Sequence, residues 1–346
     1  MARGDKAALR LTIGLGLAVF VAYGLALQAP YVVCIMAVLV LCKPGPPLPM
    51  VKAAVIAGVF AGLVAAGVLM VPLLENYAAA GVLLTAVVLF VLFYRGRLRA
   101  NPLTMVLVLA FTLIPVAGVQ EQALIGALAL TLAVGVLVGA AVSAASSAVF
   151  PDPPAPGGAR VGAAPPDREA AHWIAWRGTL IVMPVFVLAL TNPSFYLAAI
   201  MKTVALGQQA GETDARHAGR ELVGSTLMGA LIALAVWCGL SLWPSLWMLM
   251  LWLMAAGLWA GSALFGARRT LFRPSFWSNA LITSLILLGP AIEDSASGKS
   301  VLEGAAMRVT LFVGVALYAW ATVWTLERWR ARSRIAAVDA LLKESP

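Results

Sequence analysis

Twelve apolar segments follow one another along the chain and leave little of it for a soluble core. They lie near residues 7–27, 31–42, 51–73, 79–94, 103–119, 121–149, 177–191, 194–208, 219–242, 245–265, 275–290 and 301–326. Only 11% of the residues are charged, against roughly 25% in a soluble domain. The sequence therefore predicts an all-α, polytopic membrane protein with about 12 transmembrane helices. Segments 31–42 and 194–208 are shorter than the ~20 residues that cross a bilayer, so ten or eleven spans are the alternative.

Lysine and arginine residues are distributed unevenly between the two sides that a twelve-span topology defines. If the N-terminus is cytoplasmic, all 24 of them except Lys299 and Arg308 fall on the cytoplasmic side. Such an excess on the cytoplasmic side is the positive-inside bias of membrane proteins. We therefore expect a multi-pass protein of the bacterial inner membrane with both termini in the cytoplasm. The net charge of +9 then follows from topology, and no nucleic-acid partner is predicted.

The two halves of the chain repeat the same order of features. An arginine opens an apolar segment that closes on Pro and Tyr, first from Arg10 to Tyr31 and again from Arg177 to Tyr196. The last segments of the halves share the patterns TLAVGV and TLFVGV, which begin at Thr131 and Thr310. The alternative is that Gly, Val and Leu recur by chance in apolar segments. Repeats with an even number of spans enter the membrane from the same side, which predicts two parallel six-helix repeats with a path between them.

The boundaries of these repeats follow from one Pro- and Gly-rich stretch. The predicted organisation is a first membrane repeat (1–149), a cytoplasmic linker (150–168), a second membrane repeat (169–330) and a cytoplasmic tail (331–346). Inside the apolar segments, three pairs of glycines four residues apart predict close packing between helices of this chain. They are Gly58 with Gly62, Gly135 with Gly139, and Gly257 with Gly261.

Two cations inside apolar segments of the second repeat are the main candidates for a site. Lys202 lies nine residues from Pro193, or about 13 Å into its segment, where the first repeat has Ala37. A buried ammonium costs roughly 2.5–3.5 kcal/mol on insertion scales, so such a residue is a functional hypothesis by default. The alternative is a lysine whose long side chain reaches back to the cytoplasmic surface.

Arg308 is the second candidate and lies about 10 Å below the outer face if its segment begins at Val301. The first repeat has Ala129 at the equivalent position. The guanidinium could pair with Glu303, Asp294 or an anionic substrate, and an ion pair between helices is the alternative. No Asp or Glu lies at comparable depth in any segment, so the field of the predicted path favours an anion.

Two aromatic residues and one carboxylate complete the predicted substrate site. Glu303, Tyr196 and Trp320 are predicted to bind substrate beside the cations, although a single deep tryptophan more often packs against lipid. The sequence contains no catalytic constellation, phosphate loop or metal-ligand spacing, so we expect neither an enzyme nor a bound cofactor or metal.

Four short motifs resemble those of the fusaric acid resistance and aromatic acid exporter superfamily. They are AALRLTIGLGLAVFVAYGLALQAPY, its echo WRGTLIVMPVFVLALTNPSFY, the pattern Arg220-xxx-Gly224-Ser-Thr226-xx-Gly229, and Arg308-x-Thr310-xxx-Gly314. Larger members of that superfamily place a cytoplasmic domain between the halves, where this chain has only its linker. The resemblance implies an inner-membrane exporter of aromatic carboxylates that works with a periplasmic adaptor (membrane fusion) protein.

The sequence thus predicts a secondary transporter that exports small organic anions, in particular aromatic acids, through a path between its repeats. The lipid bilayer, the anion and an adaptor are the expected partners, and a homo-oligomer is compatible with the sequence. A passive anion channel and a non-transporting scaffold for an adaptor are the alternatives.

Overall fold

The computed structural model describes residues 3–42, 49–99, 104–151, 168–212, 215–296, 298 and 301–344. Within these ranges the chain forms twelve α-helices and no β-strand, which confirms the predicted all-α class. They are α1 (Arg3–Gly24), α2 (Pro30–Leu41), α3 (Met50–Asn76), α4 (Ala78–Leu98), α5 (Thr104–Gln120), α6 (Gln122–Val149), α7 (Arg168–Thr191), α8 (Pro193–Glu212), α9 (Ala215–Leu242), α10 (Leu246–Leu264), α11 (Pro274–Ala296) and α12 (Val301–Glu344).

Among the described residues, eight helices are long and apolar enough to cross a membrane. They are α1, α4, α6, α7, α9, α10, α11 and α12. The chain is therefore a multi-pass membrane protein. Helix α8 has 20 residues but is less apolar, because it carries Lys202, Gln208 and Gln209. Most of the predicted linker, residues 152–167, lies outside the described residues, and α12 continues as a helix through residues 331–344.

Helix α2 is short because it lies inside the protein. Its 12 residues span about 18 Å, less than a ~30 Å hydrocarbon core. Every residue from Tyr31 to Leu41 except Val40 is buried, and the helix packs against α1, α6 and α11. Because α2 is apolar on all sides, it can be surrounded by other helices without burying a polar group. A short hydrophobic segment of this kind is a core element of the bundle.

Two of the three predicted glycine pairs pack against a neighbouring helix. Gly135 and Gly139 lie against α2, where an added Cβ on Gly139 would be 3.1 Å from the Cα atom of Ala37. Gly257 and Gly261 lie against α1. The prediction is wrong for the pair 58/62, because among the described residues no atom lies within 4 Å of a Cβ added at either position. Glycine spacing alone therefore does not show which helix faces make contact.

The contacts between helices follow one rule in both halves of the chain, residues 3–151 and residues 168–344. The extensive contacts inside the first half are α1·α2, α1·α6, α2·α6, α3·α4, α3·α5, α3·α6, α4·α5 and α5·α6. Raising each number by six gives a helix pair that is also in contact in the second half. Between the halves, α1·α10 corresponds to α4·α7, and α2·α11 corresponds to α5·α8. The interface between the halves is thus built from two kinds of equivalent contact, one that involves α1, α4, α7 and α10 and one that involves α2, α5, α8 and α11.

Contacts near helix ends group many of the basic residues at one end of the bundle. A Cβ added at Gly4 would lie 2.6 Å from the carbonyl oxygen of Phe265, so α1 begins where α10 ends. The Nζ atom of Lys6 donates a 3.1 Å hydrogen bond to the carbonyl of Pro151, just after α6. The connection after α10 carries Arg268, Arg269 and Arg273.

The same end collects the first residues of three more helices. The rings of Phe90 and His172 are 5.0 Å apart, which brings the end of α4 to the start of α7. Gln209, near the end of α8, donates a 3.0 Å hydrogen bond to the backbone carbonyl of Glu221 in α9. Arg273, just before α11, donates its backbone N–H to the Glu221 carboxylate, so the start of α11 lies beside the start of α9. We call this end, with the starts of α1, α7, α9 and α11, the arginine-rich end.

Candidate functional site

Lys202 lies in the interior of the second half, where α8 meets α11. The side chain has no exposed surface (0%), and its helix α8 packs on α7, α9, α11 and α12 and, across the interface between the halves, on α5. Its Nζ atom donates a 2.7 Å hydrogen bond to the hydroxyl of Thr283 in α11. The Thr283 hydroxyl in turn donates to the backbone carbonyl of Asn279, one helical turn away, at 2.6 Å. The lysine therefore does not reach back to the membrane surface, the alternative that the sequence left open.

The Lys202 amine uses only part of its hydrogen-bonding capacity. An ammonium has three N–H donors, and among the described residues Thr283 is its hydrogen-bond partner. No carboxylate of the described residues forms an ion pair with it. A buried ammonium without a counter-ion is unfavourable. An anion bound beside Lys202 would supply the negative charge and the hydrogen-bond acceptors that the described residues do not.

A cluster of polar side chains extends from Lys202 toward the arginine-rich end. The Nδ2 atom of Asn279 donates 2.7 Å hydrogen bonds to Oε1 of Gln209 and to Oγ of Ser225. The Ser225 hydroxyl also donates to Oε1 of Gln209 at 3.2 Å. Because Thr283 bonds to the backbone of Asn279, these side chains and Lys202 form one connected set across α8, α9 and α11.

Two oxygens in this region have no partner among the described residues. They are Oδ1 of Asn279 and Oε2 of Glu221, both in side chains that are at least 97% buried. A buried acceptor without a partner costs roughly 1–3 kcal/mol, which a bound molecule or water can recover. Glu221 stands at the start of its predicted segment, where a side chain is expected to be exposed. The cluster is therefore able to accept further hydrogen bonds.

Sequence reasoning missed this cluster, although a signal for it exists. Polar residues recur one turn apart inside otherwise apolar helices, as Glu221 and Ser225 in α9 and as Asn279 and Thr283 in α11. Residues four apart lie on the same face of a helix. A polar stripe of this kind in a membrane helix faces the protein interior, and reading all three helices for it would have found the site.

The first half presents a different surface at the corresponding place. Ala37, the counterpart of Lys202, is completely buried in the apolar helix α2. Thr112 of α5 is buried too, but its hydroxyl bonds only to carbonyls of its own helix. The first half therefore lacks, at this place, the polar side chains that the second half buries among α8, α9 and α11.

Arg308 lies away from Lys202 and forms an ion pair within its own half. Its Nη2 atom is 2.5 Å from Oδ2 of Asp294, with about a fifth of each side chain exposed. Asp294 is 11 residues beyond Thr283 on α11, or about 17 Å along the helix axis. The pair joins α11 to α12. It is an ion pair between helices, which was the alternative to substrate binding for Arg308. The two predicted cations are therefore not parts of one compact pocket.

The remaining predicted site residues are also dispersed. Glu303 is exposed near the start of α12. Tyr196 is half-buried and packs edge-on against Phe195, with ring centroids 4.8 Å apart. Trp320 is 40% exposed and its indole lies beside Gly219, near the start of α9 and 12 residues from Arg308. The structure does not bring these three side chains to Lys202.

Arg177, which opens the second repeat in the sequence and was counted among the cytoplasmic charges, is a buried cation. Its Nη1 atom lies 2.9 Å from Oε1 of Glu327 in α12, and its Nη2 atom donates a 2.6 Å hydrogen bond to the carbonyl of Ala210. Trp173 donates its indole N–H to the same carboxylate. This cluster ties the end of α8 to α7 and α12. It thereby fixes the helix that carries Lys202 at the arginine-rich end.

Comparisons with known proteins connect one part of the chain to a family. The model of a family described as a protein of unknown function (DUF2955) matches residues 7–146, from within α1 to within α6. No curated protein and no solved structure matches the chain. In the described part of the chain, no three His, Cys, Asp or Glu side chains lie close enough to hold a metal ion.

Proposed function

We propose that this protein is a secondary transporter of the bacterial inner membrane that exports small organic anions, in particular aromatic carboxylates. The observation that carries the proposal is Lys202 of α8, a helix that packs on α5 of the first half. Its side chain is fully buried and hydrogen-bonded to Thr283, with no carboxylate partner among the described residues. Ionisable groups inside membrane bundles mark substrate and ion pathways. A substrate anion is the counter-ion that this position lacks.

The proposed architecture is two parallel six-helix repeats with twelve crossings of the membrane. The matching helix contacts of the two halves support it, because each contact in the first half has a counterpart six helices later. The family match to residues 7–146 supports it as well, since the matched region covers the first of these units. Two such units related by an axis along the membrane normal would enclose a path between the α2·α11 and α5·α8 contacts.

The chemistry of that interface supports an amphiphilic anion. Lys202 would offer its remaining N–H donors to a carboxylate, and the apolar helix α2, which packs on α11, would offer a surface to a ring. Because Lys202 has no exposed surface, helices have to move before a substrate reaches it. Export of an anion is driven by the membrane potential with roughly 2.3 kcal/mol per charge per 100 mV.

The aromatic class of substrate and the adaptor partner rest on the resemblance to the fusaric acid resistance and aromatic acid exporter superfamily. Under this proposal the cytoplasmic end of the protein is the arginine-rich end, as the positive-inside rule requires. Arg308 would then lie toward the periplasmic side, where the anion leaves.

Uptake of radiolabelled benzoate into proteoliposomes under an imposed potential tests this function. Wild-type protein should transport benzoate with saturation, and Lys202→Met should lower the rate at least about tenfold, as expected for loss of a charge-assisted bond. Lys52→Met, which removes an exposed lysine of α3, should transport like wild type. Elution as a single peak of unchanged size shows that the Lys202 variant is folded.

Three results would contradict the proposal. Absence of benzoate flux in the wild type, with benzoate present at millimolar concentration, would favour the scaffold. Non-saturating flux with unitary conductance steps in a planar bilayer would favour the passive anion channel. Equal rates for Lys202→Met and wild type would remove Lys202 from the path.

A further inference from the structure

An open groove runs along the outer surface of the second half between α9 and α12. It encloses about 590 Å³. Apart from Arg220 at one end, the side chains around it are apolar, and they come from α9, from α11 with the connection before it, and from α12. Gly224 lies against the ring of Phe276, and Gly219 lies against the indole of Trp320. Missing side chains at these glycines therefore deepen the groove.

The groove faces the surroundings of the protein and not the interface between the halves. Helix α9 packs on α8, α10, α11 and α12, and α12 packs on α7, α8, α9 and α11, all in the second half. Leu227, Leu231 and Leu317 are each more than 40% exposed along it. Both helices are long and apolar enough to cross a membrane, so the groove opens to lipid.

The dimensions of the groove match one leaflet of a bilayer. From Arg220 to Leu231 it follows α9 for 11 residues, or about 17 Å. Half of a ~30 Å hydrocarbon core is about 15 Å. A small aromatic acid would occupy only part of this length and would leave the rest open, whereas an acyl chain fills a groove of this length.

The charge of the groove is concentrated where a lipid headgroup would lie. Arg220 is the one charged residue among its described lining residues, and it stands at the arginine-rich end. The guanidinium stacks 5.2 Å from the centre of the Phe272 ring and donates a 3.3 Å hydrogen bond to the carbonyl of Leu271. These contacts hold it at the groove's end while its side chain remains exposed. A guanidinium in this position binds a phosphate by paired hydrogen bonds.

We propose that the groove between α9 and α12 is a binding site for one anionic phospholipid of the leaflet at the arginine-rich end. One acyl chain lies along Leu227 and Leu231, and the headgroup phosphate binds Arg220. The site is separate from the path between the halves, and it does not depend on whether the protein transports an anion.

Native mass spectrometry of the full-length protein in detergent tests the site with two lipids of identical chains. The probes are dipalmitoyl phosphatidylglycerol, which is anionic, and dipalmitoyl phosphatidylcholine, which is neutral overall. Wild-type protein should bind the first lipid about fivefold more tightly at one site, as expected for one arginine at a membrane surface. Arg220→Gln should abolish this preference. Arg328→Gln, which removes an exposed arginine stacked 4.0 Å from the ring centre of Trp324, should retain it.

A second pair of variants tests the acyl-chain part of the groove. Leu227→Trp fills the groove and should weaken binding of both lipids at that site, whereas Leu234→Trp, at an exposed position of α9 outside it, should leave binding unchanged. The proposal is overturned if the two lipids bind the wild type equally, if Arg328→Gln abolishes the preference as Arg220→Gln does, or if Leu227→Trp has no effect.

Discussion

The Nζ atom of Lys202 lies 2.7 Å from the hydroxyl oxygen of Thr283, and that hydroxyl donates a 2.6 Å hydrogen bond to the backbone carbonyl of Asn279. One threonine therefore accepts from α8 and donates within α11. Helices α8 and α11 are 81 residues apart at these positions, so the bond also holds together two central helices of the second half. The hydroxyl serves both the chemistry of the site and its stability.

Replacing Thr283 with Val should destabilise the protein. Valine has nearly the same shape but no oxygen, so the Lys202 amine loses its acceptor in a site without water-exposed surface. The free energy of unfolding should fall by about 1–3 kcal/mol, the usual penalty for a buried group left without a partner. Thermal unfolding in detergent, followed by far-ultraviolet circular dichroism, measures the change, and Thr283→Ser should restore most of it.

Thr226 provides the control for that experiment. It is equally buried, but its hydroxyl bonds only to the carbonyl of Leu222 in its own helix at 2.8 Å. Thr226→Val should therefore change stability much less than Thr283→Val. Equal losses from the two variants would mean that removal of a hydroxyl, and not the loss of the Lys202 partner, causes the effect.

The sequence predicted the fold class and the presence of Lys202 in an apolar segment, but it did not predict the lysine's partner. Composition and segment length determine whether a helix can cross a membrane, and both are local properties. The choice of Thr283 as partner depends on how α8 and α11 rotate about their axes when they pack, which no single segment encodes. The same reason explains why Gln209, Ser225 and Asn279 were not grouped in advance.

For Arg308, the sequence limited the candidate ion-pair partners to two carboxylates but did not show which of them forms the pair. Asp294 and Glu303 both lay within reach of Arg308 along the chain, and both had the correct charge. The fold selects Asp294, because α11 and α12 pack so that this carboxylate points at the guanidinium, whereas Glu303 is exposed. The prediction that Arg308 binds substrate stays a prediction.

Replacing one or both partners of the Arg308–Asp294 ion pair tests how much the pair contributes to stability. Asp294→Asn leaves a partly buried guanidinium without its ionic partner and should lower the unfolding free energy by about 1–3 kcal/mol. The double variant Asp294→Asn with Arg308→Gln should lose less than the sum of the single losses, because the two groups interact directly. Thermal unfolding of the four proteins gives the coupling energy. Strict additivity would show that the pair makes no energetic contribution.

The buried amide cluster should show the same coupling between helices. Asn279→Leu removes both donors that bind Gln209 and Ser225, and Ser225→Ala removes one hydroxyl of the cluster. Each single loss should be about 0.6–1.7 kcal/mol, the range for side-chain hydrogen bonds in membrane bundles. The double variant should lose less than their sum. Ser284→Ala is the matched control in α11, because its hydroxyl bonds to Leu281 of its own helix. A double variant that couples as weakly as Asn279→Leu with Ser284→Ala would contradict a connected cluster.

Replacement of Gly229 or Gly314, both inside helices, with Ala should change the free energy of unfolding in opposite directions. A Cβ added at Gly229 would lie 2.7 Å from the carbonyl oxygen of Ala280 and 2.6 Å from the Cβ atom of Thr283, so α9 and α11 would have to separate. Overpacking of this kind costs about 1–3 kcal/mol. At Gly314 no atom of the described residues lies within 4 Å of the new carbon. Gly314→Ala should therefore stabilise α12 by up to about 1 kcal/mol through helix propensity.

Thermal unfolding of both alanine variants measures these changes, and benzoate uptake measures their consequence for the proposed function. Because Thr283 is the residue against which Gly229 packs, separation of α9 from α11 should disturb its hydrogen bond with Lys202. Gly229→Ala should therefore lower both stability and uptake, whereas Gly314→Ala should leave uptake unchanged. A Gly229→Ala protein as stable as wild type would show that the two helices pack less tightly than the structure indicates.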